Sequence, residues 1–402
     1  MARTVTRVRD AAPRAGASRA NTRSRISAVP ATVTTELAAM DRALALARRG
    51  PAHGPNPRVG CVLLAPRGSA RATRAARTVF AEGWHEGAGT AHAEAAALAV
   101  ARSAGIDLRG ATAVVTLEPC HHTGRTPPCA QALIDAGIAR VVVAVPDPNS
   151  VAAGGAVHLR AAGVDVSFGP REAEGRELLR IWLAAVDRHR PFVTLKLATS
   201  LDGRIAAADG SSRWITSAVA RQHAHDLRAE VDAIAVGTTT MRTDDPSLTA
   251  RNAAGELIGH QPLRVVVGHR VVPAGARLRG PGGELVHLRT HDVGEVLARL
   301  HEREVRHLLV EGGPTLAAAF LRAGVVDELH AYIAPVLLGA GLPAVADLGI
   351  ATIADALRFV PREPVPLGPD VLLVAAPVLA STSTSTSTST STSTSTSTDE
   401  EN

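Results

Sequence analysis

Three segments of the chain carry residues that belong in one place: His92-Ala93-Glu94, Glu118-Pro119-Cys120 and Pro127-Pro128-Cys129. One imidazole and two thiolates form a borderline-soft donor set that suits zinc and leaves a fourth position for water. Glu94, two residues beyond the histidine, is placed to carry that water's protons. A structural zinc knot is the alternative, with His121 or His122 as fourth ligand, but a closed knot has no use for Glu94. Ordinary burial as a small residue suits Cys61, in the apolar run from Val59 to Leu64. It suits Cys120 and Cys129 poorly, because both lie in polar, proline-rich turns.

The order His-x-Glu, Pro-Cys, Cys is the zinc-deaminase signature, in which glutamate passes protons to the departing amine. Deaminases of nucleic acids usually place two residues between the cysteines; here eight separate Cys120 from Cys129. With Thr116-Leu117-Glu118-Pro119, that stretch resembles the deaminase half of the bifunctional riboflavin-biosynthesis deaminase/reductases. The resemblance runs from about Glu36 to Val378. It implies an N-terminal cytidine-deaminase-like three-layer α/β/α domain at 34–180. A C-terminal dihydrofolate-reductase-like α/β domain would occupy 190–378.

Composition narrows the partners. At 402 residues the chain is long enough for two domains. The net charge of +5 alone would permit nucleic-acid binding, but aromatics at 2% leave few platforms for base stacking. Much of the basic excess sits in residues 1–33, an arginine-rich segment expected to be disordered. Its minor alternative is an organelle transit peptide leading to a stroma. The Ser-Thr alternation within 379–402 cannot bury a core. No apolar run is long enough to span a membrane. Three cysteines give no disulfide framework, so a reducing, cytoplasmic setting is expected. Lys196 is the only lysine in the chain. Where drift converts lysine to arginine, a surviving ammonium points to a need for that compact charge.

Between the tails, strand and helix patterns alternate. A helix over Leu37–Ala47 has Thr35 as its cap and Gly50 at its end. Strands are expected at Val59–Leu64, Thr112–Leu117 and Arg140–Val145, with helices at His92–Ala104 and Pro128–Ala136. Arg67–Thr78 reads as an arginine-rich insertion in a hairpin. A helix over Arg171–Arg188 leads to strands beginning at Phe192, Val231, Arg264, His307 and Glu328. Helices lie between them at Ser217–Arg228, Val293–Arg303 and Thr315–Ala323. Ligands at helix starts make chemical sense, because unpaired N–H groups and the dipole's positive end favour thiolate.

The second half lacks a Gly-x-Gly-x-x-Gly fingerprint. Its candidate phosphate cradle is Val310-Glu311-Gly312-Gly313-Pro314-Thr315-Leu316, which follows an apolar strand and opens a helix. Taken alone, such a turn is more often plain structure. Three stretches, Lys196–Arg204, Ser212–Ser217 and Gly237–Pro246, resemble the reductase half of the same family. That resemblance implies NADPH, held by Ala198, Trp214, Thr240, Asp244, Gly313, Pro314 and Thr315. It implies substrate contacts at Ser212, Arg228, Leu248, Arg251 and Glu311; Lys196 is expected on its own chemistry to bind the sugar or help polarise its C1 position. Asn56 and His85 are the corresponding expectations in the first half. Gly268-His269 stands where relatives carry Asp-Ser, which leaves preference for NADPH over NADH open. The turn from Ser150 lacks the family's usual second proline and basic residue.

The expected substrate is a pyrimidine ribosylamine phosphate, with one zinc per chain, no nucleic acid, no membrane, and a homo-oligomer (dimer or tetramer). The rivals are a deaminase of free or RNA-borne bases, a relative with one decayed half, and a zinc-dependent scaffold.

Overall fold

The computed structural model describes residues 33–68, 77–121, 128–149 and 154–378. Both tails, most of the Arg67–Thr78 insertion and the turn Ser150–Ala153 lie outside the described residues.

The first unit comprises β1 (Val33–Thr34), α1 (Glu36–Ala47), β2 (Gly60–Leu64), β3 (Arg77–Trp84), α2 (Ala93–Ser103), β4 (Thr112–Leu117), α3 (Cys129–Asp135), β5 (Arg140–Val145), α4 (Gly155–Ala161) and β6 (Asp165–Phe168). Its sheet runs β1-β3-β2-β4-β5-β6. β4, β5 and β6 are parallel, and the remaining pairs are antiparallel. The two-residue period of a strand sorts the side chains into two cores. Cys61, Leu63, Ala113, Val115, Val141 and Val143 face Ala97, Leu133 and Leu159 of α2, α3 and α4. Val62, Val114, Val142 and Ala144 face Met40 and Leu44 of α1 and Leu179 of α5 (Glu172–Asp187). This is the three-layer α/β/α arrangement expected of the first half. Thr35 caps α1 by accepting from Ala38 N at 3.2 Å.

β3 starts inside the segment read as an insertion. Arg77 is buried there because its guanidinium reaches Glu36 and Thr112 Oγ1, at 2.5 and 2.7 Å.

After α5 come β7 (Phe192–Ser200), β8 (Arg204–Ala206), α6 (Ala218–Glu230), β9 (Ala233–Gly237), α7 (Thr238–Asp244), β10 (Leu263–Val267), β11 (Leu285–Leu288), α8 (Val293–Glu302), β12 (His307–Val310), α9 (Pro314–Arg322), β13 (Glu328–Ala334), β14 (Leu342–Pro343), β15 (Phe359–Pro361), β16 (Val365–Leu367) and β17 (Asp370–Pro377). The large sheet runs β11-β10-β9-β12-β7-β13-β17-β15, with β16 paired to β17. It is parallel from β11 to β13 and antiparallel beyond. Alternation again makes two cores. Ala233, Ala235, Leu308 and Val310 face α8 and α9, while Ile234, Val236 and Leu309 face Met241 and Leu278. β15 to β17 escaped the sequence reading. Pro361, Pro366 and Pro377 look like strand breakers, but Pro361 and Pro366 sit in β15 and β16, which pair only with β17, and Pro377 is the last residue of β17, beyond its pairing with β13. No described helix is long and apolar enough to cross a membrane.

The units meet along α5 and the loop before β2. Arg180 of α5 pairs with Glu328 at 3.0 Å, and Arg190 grips Asp327 at 2.7 and 2.8 Å. The Asp232 carboxylate accepts from Arg306 N and His307 N, both at 2.8 Å, and from Gly54 N in the first unit. Next to it, the His53 and His260 rings stack at 3.4 Å.

The start of α2 lies directly on Gly83. A Cβ there would sit 2.4 Å from Ala93 O and 2.5 Å from Ala97 N, both backbone atoms that cannot swing aside. Gly83→Ala is therefore expected to cost about 2 kcal/mol through overpacking and to displace His92. Chemical denaturation of the zinc-loaded chain, with zinc content measured in parallel, checks this. An unchanged midpoint and full zinc would show that α2 can move freely.

Candidate active sites

His92 stands at the N-cap of α2 without making a side-chain cap bond, so its ring is left for other use. Cys129 opens α3, and its backbone N–H donates to Cys120 Sγ at 3.4 Å. Cys120 Sγ and Cys129 Sγ lie 3.6 and 3.3 Å from His92 Nδ1. These three donor atoms all fall within 4.8 Å of one another. Tetrahedral zinc, with bonds of about 2.0 Å to nitrogen and 2.3 Å to sulfur, sets its ligands roughly 3.5 Å apart. The donors fit that ion. His121 is not drawn in; its ring lies against His158, 4.2 Å between centroids. Among the described residues the cluster has three ligands, and it opens on a cleft.

A hydrogen bond with Cys129 pulls Cys120 well below the usual thiol range, and Cys129, which keeps the proton, is pushed up. Glu94 is almost completely buried, and that burial raises its carboxyl to about 7. A carboxyl poised there can both take and give a proton at neutral pH. Cys61, wholly buried in β2, lies among the core residues.

The cleft is also lined by Asn56, His85, Glu118, Asp147, Asn149 and Trp182. His85 spends both ring nitrogens inside the protein: Nδ1 on Ala91 O at 3.0 Å and Nε2 on Asn56 Nδ2 at 2.9 Å. Burial lowers its proton affinity, so Nδ1 is the donor and Nε2 accepts from the Asn56 amide. That fixes the Asn56 amide, with its Nδ2 and not its Oδ1 spent on His85. Glu118 is occupied by Ala156 N at 2.8 Å and Asp147 N at 3.3 Å.

In the second unit, Glu311 follows β12 and takes both arms of Arg228, at 2.8 and 2.7 Å. Lys196 Nζ of β7 lies 3.9 Å from the same carboxylate. Burial alone would raise Glu311, but Arg228 and Lys196 outweigh it and hold the group at about 2. Burial lowers the proton affinity of Lys196. Arg228 also donates to Thr249 O, and Arg251 to Thr249 Oγ1, at 3.1 and 3.0 Å. So Lys196, Arg228, Arg251 and Glu311 converge. Gly313 caps α9, with Pro314 and Thr315 in its first turn, and Gly313 N donates to Thr240 Oγ1 at 2.8 Å. Asp244 ends α7, and its carbonyl accepts from Arg213 at 3.1 Å.

Other expected residues stand apart. The Leu248 side chain is buried in a core with Met241 and Val266. Ala198 packs on the Tyr332 cluster, and Ser212 lies in the loop before α6. Trp214 is 67% exposed, under Arg221. Sequence reasoning missed Tyr332, the chain's single tyrosine. Its hydroxyl meets His223 Nδ1 at 2.8 Å, and Lys196 Nζ lies 5.5 Å from its ring centroid. That rarity was the available signal.

Comparison with known proteins adds lineage to this geometry. Residues 33–145 match the cytidine and deoxycytidylate deaminase zinc-binding region, and 191–373 match the RibD C-terminal domain. The riboflavin biosynthesis protein RibD of Mycobacterium tuberculosis strain H37Rv is 48% identical over 79% of this chain and 90% of its own length. That of Escherichia coli K12 is 41% identical over 83% and 97%. A crystal structure from Thermotoga maritima, a diaminohydroxyphosphoribosylaminopyrimidine deaminase/5-amino-6-(5-phosphoribosylamino)uracil reductase, superposes with a TM-score of 0.75 at 32% identity. It covers 85% of this chain and 99% of that one.

Replacing Glu311 by Gln leaves Arg228 and Lys196 buried without a counterion, at an expected cost of about 3 kcal/mol at pH 7. Because the folded carboxyl is depressed to about 2 from 4.5, its contribution is complete above pH 4.5 and fades as pH falls toward 2. Urea titrations of both proteins between pH 7 and pH 3 should show a gap that narrows only below 4.5. A gap that is constant with pH would assign the loss to something other than charge.

Proposed function

As the chain belongs to the RibD family, the riboflavin-biosynthesis proteins that join a deaminase to a reductase, we propose a division of its chemistry between the two sites. The first unit hydrolyses the exocyclic amine of a 2,5-diamino-6-(5-phosphoribosylamino)pyrimidin-4-one, and the second reduces the ribosyl chain to ribityl. The observation that carries this reading is the His92, Cys120 and Cys129 cluster beside a buried, proton-ready Glu94. We assign the deaminase to 34–180 and the reductase to 190–378, with α5 bridging them.

His92, Cys120 and Cys129 would hold one zinc, which supplies a Lewis acid that makes water acidic near neutral pH. Glu94 takes the water's proton and passes it to the departing ammonia. Asn56, oriented by His85, offers its Oδ1 to an N–H of the pyrimidine. Burial of Glu94 keeps that proton from being lost to solvent.

In the second unit NADPH would supply hydride, with Gly313, Pro314, Thr315, Thr240 and Asp244 lining its place and Ala198 and Trp214 at the edges. Lys196, whose ammonium is destabilised by burial, gives the proton that accompanies reduction of the opened sugar imine. Glu311 keeps Lys196 and Arg228 in register. Arg228 and Arg251 meet the sugar phosphate, and Ser212 and the Leu248 backbone border it. A homo-oligomer, dimer or tetramer, suits the exposed apolar side chains of Leu337, Leu342 and Ile353. A reducing cytoplasm suits the thiolate ligands.

Mass spectrometry of products made with and without NADPH tests the whole reading. Amine loss should occur in both cases, and gain of two hydrogens only with NADPH. Glu94→Gln should keep its zinc and lose deamination by about 10³-fold, and normal turnover in that variant removes Glu94 from the reaction. Lys196→Arg should slow reduction and spare deamination; a fully active reductase would make the lone lysine an accident of composition.

A further inference from the structure

The cleft beside His92 has one wall from the other unit. Within it the first unit contributes carboxylates (Glu94, Glu118 and Asp147) and no arginine or lysine among the described residues. Arg306, immediately before β12, is the only described arginine or lysine that lines it. Two of its guanidinium nitrogens, Nε and Nη1, are buried and have no hydrogen-bond partner within the protein. The backbone beneath it is fixed. Arg306 N donates to Asp232 Oδ2 and Arg306 O accepts from Phe192 N, both at 2.8 Å. The Asp232 carboxylate also holds Gly54, two residues ahead of Asn56. One carboxylate therefore sets Arg306 and the Asn56 loop in a common frame.

Buried N–H donors without acceptors are costly, and an anion bound against this side chain would supply one. We propose that Arg306 binds the phosphate of the deaminase substrate, so that the reductase unit supplies the anion site for the first reaction. This rests on the reading above, in which the substrate carries a phosphoribosylamino group. With the pyrimidine at Glu94 and the metal ligands, the phosphate is left for the part of the cleft that the other unit lines, where Arg306 stands. A guanidinium can meet it with two parallel N–H bonds along one edge, Nη2 with either Nε or Nη1, which an ammonium cannot do. Glu304 borders the same wall but is exposed, so water and salt screen its repulsion.

The test uses the full zinc-loaded chain, wild type and R306Q, and follows ammonia release. Each is given the phosphorylated substrate and the same compound stripped of its phosphate. Wild type should favour the phosphorylated form by ~30-fold in kcat/KM, the size expected of a charged hydrogen-bonded pair. In R306Q that ratio should collapse toward one, through a raised KM for the phosphorylated form with kcat little changed. A merely structural arginine would slow both substrates alike, and that parallel loss overturns the proposal, as does an unchanged ratio. If R306Q does not fold, R306K carries the test: it keeps the charge, loses the fork and should lower the ratio by ~5-fold, and an unchanged ratio overturns the proposal here too. Wild type that deaminates neither compound overturns the underlying reading as well, whereas active wild type with a ratio insensitive to residue 306 overturns this inference alone.

Discussion

The first site depends on one constraint: two thiolates and an imidazole must lie within bonding reach of one ion, and backbone ends must bring them there. β4 stops at Leu117 and releases Cys120 at the carboxyl edge of the sheet. α2 and α3 start at that edge, with His92 at the N-cap of the first and Cys129 opening the second. Helix N-termini carry free N–H groups and partial positive charge, so sulfur is stabilised as thiolate where the chain turns. Gly155 completes the edge. A Cβ on it would lie 1.8 Å from Pro119 O, so α4 presses directly on the residue before Cys120.

The second site uses the same edge of a parallel sheet with different chemistry. Glu311 comes just after β12, and Lys196 lies on the neighbouring β7. Here an anion lies between two cations, and its buried charge is tolerated only because all three are present. Loops following parallel strands converge at such edges, and residues distant in the chain meet there.

That geometry explains what could be read in advance. His92, Glu94, Cys120 and Cys129 were legible because metal chemistry restricts residue type and spacing together. The α/β class was legible because runs such as Val141-Val142-Val143 belong to a strand covered on both faces. Individual reductase residues were less so. An arginine that binds a carboxylate looks, in sequence, like any surface arginine, and Arg228 differs only in what Glu311 does beside it. Leu248 shows the limit from the other side, since its side chain is buried in a core with Met241 and Val266. Contacts between the units were wholly hidden. The residue pattern predicts a strand from Val231, which puts Asp232 inside it; β9 starts just after it, at Ala233, and no local pattern shows that Gly54, Arg306 and His307 all donate to the carboxylate before the strand.

The Asp232 contact also bears on the order in which the chain is made. A ribosome releases the entire first unit, with its metal ligands, long before Asp232 emerges, and longer still before β12. The loop around Gly54 and Asn56 therefore waits without its anchor while the nascent protein lengthens. Zinc can be captured early, but the cleft takes its final shape only late in synthesis, when the parallel strands of the second unit have closed beside it.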